Sequence, residues 1–209
     1  MSESPRTNPE TKQLKTPETP MEILGSLGPV FSVCWDACLG VTDQRKLDIE
    51  ALTKNISKQA MEEVNINISD YAREMMHKTT TTDEYGTFTT TKETKIVDFV
   101  RCKVKDLFRD SKSHPFKEIL SKAKKLGLEL CESEDGPNYR LHYINQPQGE
   151  WIWMGTKQIS DSDGCPHVFM LDRDGGGPWL YGRWAYPTNL WLPEDVFVLR
   201  LPSLSPQVT

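Results

Sequence analysis

The residue types best suited to chemistry lie close together in the last third of the chain. Cys165 and His167 are separated only by a proline, and Asp172 and Asp174 follow shortly after. A thiolate, an imidazole and carboxylates can all bind a metal, and a Cys–His pair can also supply a nucleophile and its base. One interpretation is therefore an enzyme or metal-binding protein centred on Cys165, His167, Asp172 and Asp174.

Turn formation explains the same residues without any chemistry. The stretches 161–164 and 172–175 both have the pattern Asp-x-Asp-Gly, which is found in calcium loops but is also typical of tight turns. Twelve residues counted from Asp172 end at Arg183, where an EF-hand requires a glutamate. No second Cys/His cluster follows, so we predict that the protein has no cofactor.

Tryptophan is concentrated in the same part of the chain. Residues 151–201 hold five of the six tryptophans. Each large aromatic side chain buries roughly 150–250 Å², so this segment must either fold onto a core or bind something. Residues 185–195 combine aromatics with two prolines, which favours a surface loop. We predict a partner-binding surface formed by Trp184, Tyr186 and Trp191, and core packing is the alternative.

Two further expectations concern individual rings. Trp179 and Tyr181 lie two residues apart in a predicted strand, so both should face the same side, and we expect that side to be the core. Trp191 is expected to be partly exposed. The leading interpretation is a non-enzymatic protein-interaction or scaffolding protein that uses the aromatic surface.

The tryptophan-rich segment must be positioned by strands. Alternating or continuous apolar residues predict four of them, joined by Gly- and Pro-containing turns. They comprise residues 151–153, 168–171, 179–184 and 196–201. We interpret residues 150–202 as a small antiparallel β module.

The preceding residues, 21–145, are predicted to contain two helix-plus-hairpin (αββ) units. The first has an amphipathic helix over 42–64, a strand at 64–68, and a threonine-rich hairpin around 83–86 that returns through 96–104. The second has a helix from Pro115 to Gly127, a strand at 128–130 and a returning strand at 139–143. The predicted fold class is therefore α+β.

Composition sets the broader expectations. Residues 1–20 have four prolines and no aromatic residue, which predicts a disordered leader. The five cysteines are scattered and odd in number, so reduced thiols and a cytoplasmic location are expected. Cys34 and Cys38 could share one helix face, but we interpret them as small buried residues. No apolar run approaches the roughly 18 residues that span a bilayer.

Charge is distributed unevenly along the chain. Residues 101–125 contain nine Lys or Arg and three Asp or Glu, whereas residues 126–209 contain five and eleven. The basic stretch could bind nucleic acid, in which case affinity would fall steeply with added salt. Because the chain as a whole has a net charge of −5, we expect the basic stretch to be solvated or to dock on acidic neighbours. The expected partner is another protein.

Overall fold

A computed structural model describes residues 30–35, 66–80, 83–90 and 95–202, with only the backbone described for 30–35 and 95–96. Four helices and ten strands lie in these ranges. The predicted leader, the predicted helix over 42–64 and the Cys34–Cys38 pair fall outside the described side chains.

The elements are short, apart from three strands of eight or nine residues. The strands are β1 Val30–Trp35, β2 Asn67–Ile68, β3 Lys95–Lys103, β4 His114–Pro115, β5 Ile152–Met154, β6 Ile159–Ser160, β7 Pro166–Asp174, β8 Gly177–Trp184, β9 Leu190–Trp191 and β10 Val196–Arg200. The helices are α1 Asp70–His77, α2 Val104–Phe108, α3 Phe116–Lys125 and α4 Asp135–His142.

The main sheet is mixed, in agreement with the predicted α+β class. Its strand order is β1-β3-β10-β5-β7-β8-β2, with β6 beside β7, and β4 and β9 form a separate pair. The sequence predicted a purely antiparallel C-terminal module, which is wrong, because β10 runs parallel to β5. On its other edge β10 pairs with β3, so one sheet continues from the predicted α+β body into the tryptophan-rich segment.

Helices cover both faces of this sheet and create two cores. Period-two alternation divides the long strands between them: Phe99 faces one core and Val100 the other, as do Val198 and Leu199. One core includes buried residues of α1 and α4, and the other includes those of α2 and α3. Strands buried on both faces must be apolar throughout, which is why β7 and β10 appear as continuous hydrophobic runs.

Helix α3 follows the sequence prediction closely. Phe116, Ile119 and Ala123 are buried on one side, and the basic residues lie in the last turn, where they favour the helix dipole. Pro115 precedes the helix as its N-cap and is not its first residue. Gly127 ends it with φ of 81°, a conformation that glycine adopts at little cost.

The predicted returning strand at 139–143 is wrong, because residues 139–142 belong to helix α4 and Tyr143 is its C-cap. Alternation of Tyr139 and Tyr143 suits a strand, but tertiary contacts decide otherwise. Asp135 in the first turn of α4 accepts two hydrogen bonds from Arg200 at 2.6 and 2.7 Å, both partners being buried. Gly136 allows the helix to lie against Phe169, since a Cβ there would stand 2.7 Å from that ring.

The threonine-rich hairpin is corrected in part. The chain reverses at the predicted place, because the Phe88 amide donates to the Lys78 carbonyl at 2.7 Å. The described residues of the two arms form no ladder, and Gly86 bridges instead to Ile159. The predicted return strand exists as β3, but its partners are β1 and β10.

Two tryptophans have burials opposite to those expected. Trp191 is only 4% exposed. It packs against Phe116 and Phe197, with ring centroids 4.9 and 5.8 Å away, and meets Trp153 edge to face at 5.5 Å. Trp179 shares a face with Tyr181 as predicted, but this face is only half-buried, and the two rings stack on each other at 4.9 Å.

We therefore predict that Trp191→Ala lowers the free energy of unfolding by about 3–5 kcal/mol, because a large buried ring leaves a cavity. Denaturant melts provide the measurement. The matched control is Trp151→Ala, at a tryptophan that is 56% exposed, and it should change stability by about 0.5 kcal/mol or less. Equal losses for the two variants would contradict the packing described for Trp191.

Candidate functional site

The four residues of the predicted metal or enzyme site do not come together. His167 lies near the start of β7, opposite Trp184 of β8, whereas Asp174 lies at its end, opposite Gly177. Asp172 is five positions after His167 along the same extended strand, which corresponds to a separation of about 16 Å. Among the residues that the structure describes, no group of three or more His, Cys, Asp or Glu could hold a metal ion.

The two Asp-x-Asp-Gly stretches form turns. Asp161 Oδ1 accepts hydrogen bonds from the amides of Asp163 and Cys165, at 3.0 and 2.8 Å. Asp174 Oδ1 accepts from the Gly176 amide at 2.8 Å and from Trp179 Nε1 at 3.0 Å. Both aspartates therefore satisfy groups of their own loops, as the alternative interpretation proposed.

His167 is the most unusual polar side chain in this region. It is fully buried, and its Nδ1 lies 2.9 Å from the Cys165 carbonyl oxygen. A carbonyl can only accept, so Nδ1 carries the proton, and in a neutral imidazole Nε2 must then be an acceptor. Nε2 has no hydrogen-bond partner among the described residues.

The surroundings of His167 favour the neutral ring. Burial lowers the pKa of His167, although the hydrogen bond to Cys165 and the nearby carboxylates of Asp161 and Glu74 oppose that effect. The nearer carboxylate oxygen, Asp161 Oδ2, lies 3.7 Å from Nδ1. At neutral pH the imidazole is thus a neutral group with an unused acceptor in an anionic environment.

Aromatic rings surround this imidazole. Tyr71 of α1 stacks on His167 with ring centroids 4.7 Å apart, and Trp184 lies 6.4 Å from His167 and 6.3 Å from Tyr71. A shallow pocket of about 100 Å³ opens between them. We call it the His167 pocket; its lining consists of Tyr71, His167, Gly182, Arg183 and Trp184.

Two of the rings that line the pocket are exposed, and so is Tyr186, which lies two residues after Trp184 in the chain. Trp184 is 58% exposed, Tyr71 41% and Tyr186 40%. The nearby Cys165 side chain is the main cause of the raised pKa of the Tyr186 phenol. We call Tyr71, Trp184 and Tyr186 the aromatic surface.

Two of the three predicted partner-binding residues, Trp184 and Tyr186, thus belong to the aromatic surface. The third, Trp191, lies in a core beneath the same loop. Tyr71 was missed because it is more than one hundred residues away from Trp184 and Tyr186 in the sequence. The one available signal was Gly182 in an otherwise bulky strand, since such a glycine indicates that another backbone approaches closely.

The basic stretch contacts acidic side chains of the same chain. Lys103 and Lys105 both donate to Glu194, at 2.8 and 2.5 Å, and these bonds lower the pKa of Glu194 to about 2. Arg101 donates to the hydroxyls of Tyr139 and Tyr143. Part of the positive charge of residues 101–125 is therefore paired with side chains of the same chain.

Comparison with family models, curated proteins and solved structures finds no significant match to this chain. None of the helices in the described ranges has the length and hydrophobicity needed to span a bilayer.

The lowered pKa of His167 predicts a specific pH dependence. The unfolded chain takes up a proton near the ordinary pKa of about 6.5, whereas the folded chain resists it. The His167 contribution to stability is therefore complete above that pH and decreases as pH falls below it. Denaturant melts at a series of pH values should show that His167→Gln weakens this dependence.

The control is His77→Gln, at an exposed histidine of α1, which should retain the wild-type dependence. An unchanged slope in His167→Gln would contradict the burial of a neutral imidazole.

Proposed function

We propose that this chain is a non-enzymatic protein-interaction module and that the aromatic surface is its contact site. The observation that carries the proposal is the exposure of Trp184, 58%, beside two other exposed rings. A tryptophan is normally largely buried, and adjacent exposed aromatics on a protein surface are typical of contact sites.

The elements beneath the aromatic surface support a preorganised contact. Trp184 ends β8, which is paired along its length with β7, and Tyr71 is fixed on α1. Rings held by rigid elements lose little conformational freedom on binding, so more of the contact energy remains as affinity. Aromatic residues of this kind contribute a large share of the energy at protein interfaces.

Apolar residues extend the surface along the adjoining loop. Leu190 is 66% exposed and Leu192 is 63% exposed, and both flank the buried Trp191. The Asn189 side chain donates to the Trp184 carbonyl, at 3.5 Å, and its amide donates to the Tyr186 carbonyl at 2.9 Å. These bonds connect the loop to the aromatic surface, so a partner that covers Trp184 could also cover the two leucines.

The proposal predicts that Trp184→Ala weakens partner binding by about 2 kcal/mol or more, roughly thirtyfold in affinity, with little loss of stability. The measurement is quantitative capture from an extract of the source cells by the full chain, with bound proteins identified by mass spectrometry. Denaturant melts of each bait verify folding.

The matched control is Trp151→Ala. This residue has a similar exposure, 56%, but it precedes β5, whose Ile152 is in register with Leu171, away from the Trp184 end of β7. Proteins captured by the wild type and by Trp151→Ala but lost with Trp184→Ala would support the proposal. Capture that is equal for all three baits would overturn it.

A further inference from the structure

The His167 pocket is too small for a typical ligand but suits one side chain. Small-molecule sites usually have volumes of about 300–1,000 Å³, whereas this pocket has about 100 Å³. Pockets that receive a single anchoring side chain are common at the centre of protein interfaces. The chemistry of the lining then decides which side chain fits.

The occupant must be a hydrogen-bond donor. His167 is fully buried and belongs to the lining, and its Nε2 has no partner within the described part of the chain. The Cys165 carbonyl fixes the proton on Nδ1, so Nε2 presents a lone pair. A buried acceptor without a partner costs about 1–3 kcal/mol, and a donor from a bound partner would remove that cost.

Charge favours a positive occupant. Asp161 lies against Nδ1 of His167, and Glu74, one turn along α1 from Asp70, accepts from the amide and hydroxyl of Ser162 at 3.1 Å each. Neither carboxylate belongs to the pocket lining, but both lie near enough to raise the pKa of His167 and so surround its imidazole with negative charge. The pocket lining also includes Arg183, whose guanidinium lies 4.5 Å from the centre of the Tyr181 ring.

The aromatic lining of the pocket favours arginine over lysine as the cationic side chain. A guanidinium is planar, stacks on aromatic faces, offers several N–H donors and is more weakly hydrated than the ammonium of lysine. The exposed ring of Trp184 provides such a face, and tryptophan is the strongest aromatic partner for a cation.

We propose that the His167 pocket receives an arginine side chain of a partner protein, with the guanidinium plane packed against Trp184. A guanidinium N–H then donates to His167 Nε2 as the exposed Tyr71 ring that stacks on the imidazole turns aside. This inference rests on the proposed function, because it names the group by which the partner would anchor. Glu74 and Asp161 then supply the compensating negative charge.

The test uses the full chain and four small probes followed by NMR. N-acetyl-arginine-N-methylamide is compared with the lysine, citrulline and norleucine analogues. The citrulline side chain keeps planar N–H donors but is uncharged. The lysine side chain is charged but has no planar group, and the norleucine side chain has neither charge nor N–H donors. The readouts are the indole N–H signal of Trp184, assigned with Trp184→Ala, and the ring signals of His167.

The arginine probe should produce saturable shifts at both residues, with a dissociation constant on the order of a millimolar for so small a ligand. Lysine and citrulline should bind several-fold more weakly, and norleucine should cause no saturable shift. His167→Phe removes the acceptor and keeps a ring, and it should weaken arginine binding at least tenfold.

A second variant keeps the test decisive if His167→Phe does not fold. Glu74→Gln retains an oxygen acceptor for Ser162 but removes one charge, and it should weaken arginine binding about threefold with no effect on citrulline. Norleucine or lysine binding as well as arginine, or no probe shifting Trp184, would overturn the arginine assignment. If the probes fail but capture of a partner still depends on Trp184, the proposed protein interaction stands and only the arginine assignment is wrong. If the arginine probe binds but no captured protein depends on Trp184, the proposed protein interaction is wrong.

Discussion

Helix α1 can lie against the sheet only because residue 182 has no side chain. A Cβ at Gly182 would stand 2.7 Å from the Tyr71 carbonyl carbon and 2.8 Å from the Ala72 amide nitrogen, both of them backbone atoms that cannot move aside. Ser69 connects the helix and the strand at the same point. Its hydroxyl accepts from Ala72 as the N-cap of α1 and from the Gly182 amide of β8, at 3.3 and 3.0 Å.

This contact determines the candidate site. With Ala72 fully buried against β8, the preceding residue, Tyr71, must lie over the end of the strand pair, where it stacks on His167 and borders Trp184. The imidazole is thereby sealed beneath a ring, while its Nε2 has no partner within the described ranges. A buried acceptor without a partner and exposed aromatic rings each cost free energy in the isolated protein. A bound partner would remove both costs at once, because they occur in the same place.

Local patterns predicted several of the elements but not their partners. Periodicity with a flanking proline and glycine was sufficient for α3, and alternating or continuous apolar residues located β3, β7, β8 and β10. Pairing of β10 with β3 and β5 depends on contacts far apart in sequence, which no local pattern encodes.

The same limit applies to two side chains whose environment was mispredicted. The helix that contains Tyr139 is stabilised by the Asp135–Arg200 pair and by the Phe99 ring, whose centroid lies 5.4 Å from that of Tyr139. The burial of Trp191 depends on contact with α3. Trp184 and Tyr186 were predicted because the adjoining stretch 185–195 combines aromatics with two prolines, which favours a surface loop. The unpaired acceptor of His167 depends instead on the position of the Cys165 carbonyl, which no sequence pattern encodes.

The central claim is that a buried, neutral His167 presents an unused acceptor beneath the aromatic surface. Nitrogen-15 NMR of the imidazole in the full chain at neutral pH tests it most directly, with His167→Gln identifying the signals. The account predicts a protonated Nδ1 and an unprotonated Nε2 whose resonance lies in the range of a ring nitrogen without a hydrogen bond. A proton on Nε2, or a charged imidazolium, would contradict it.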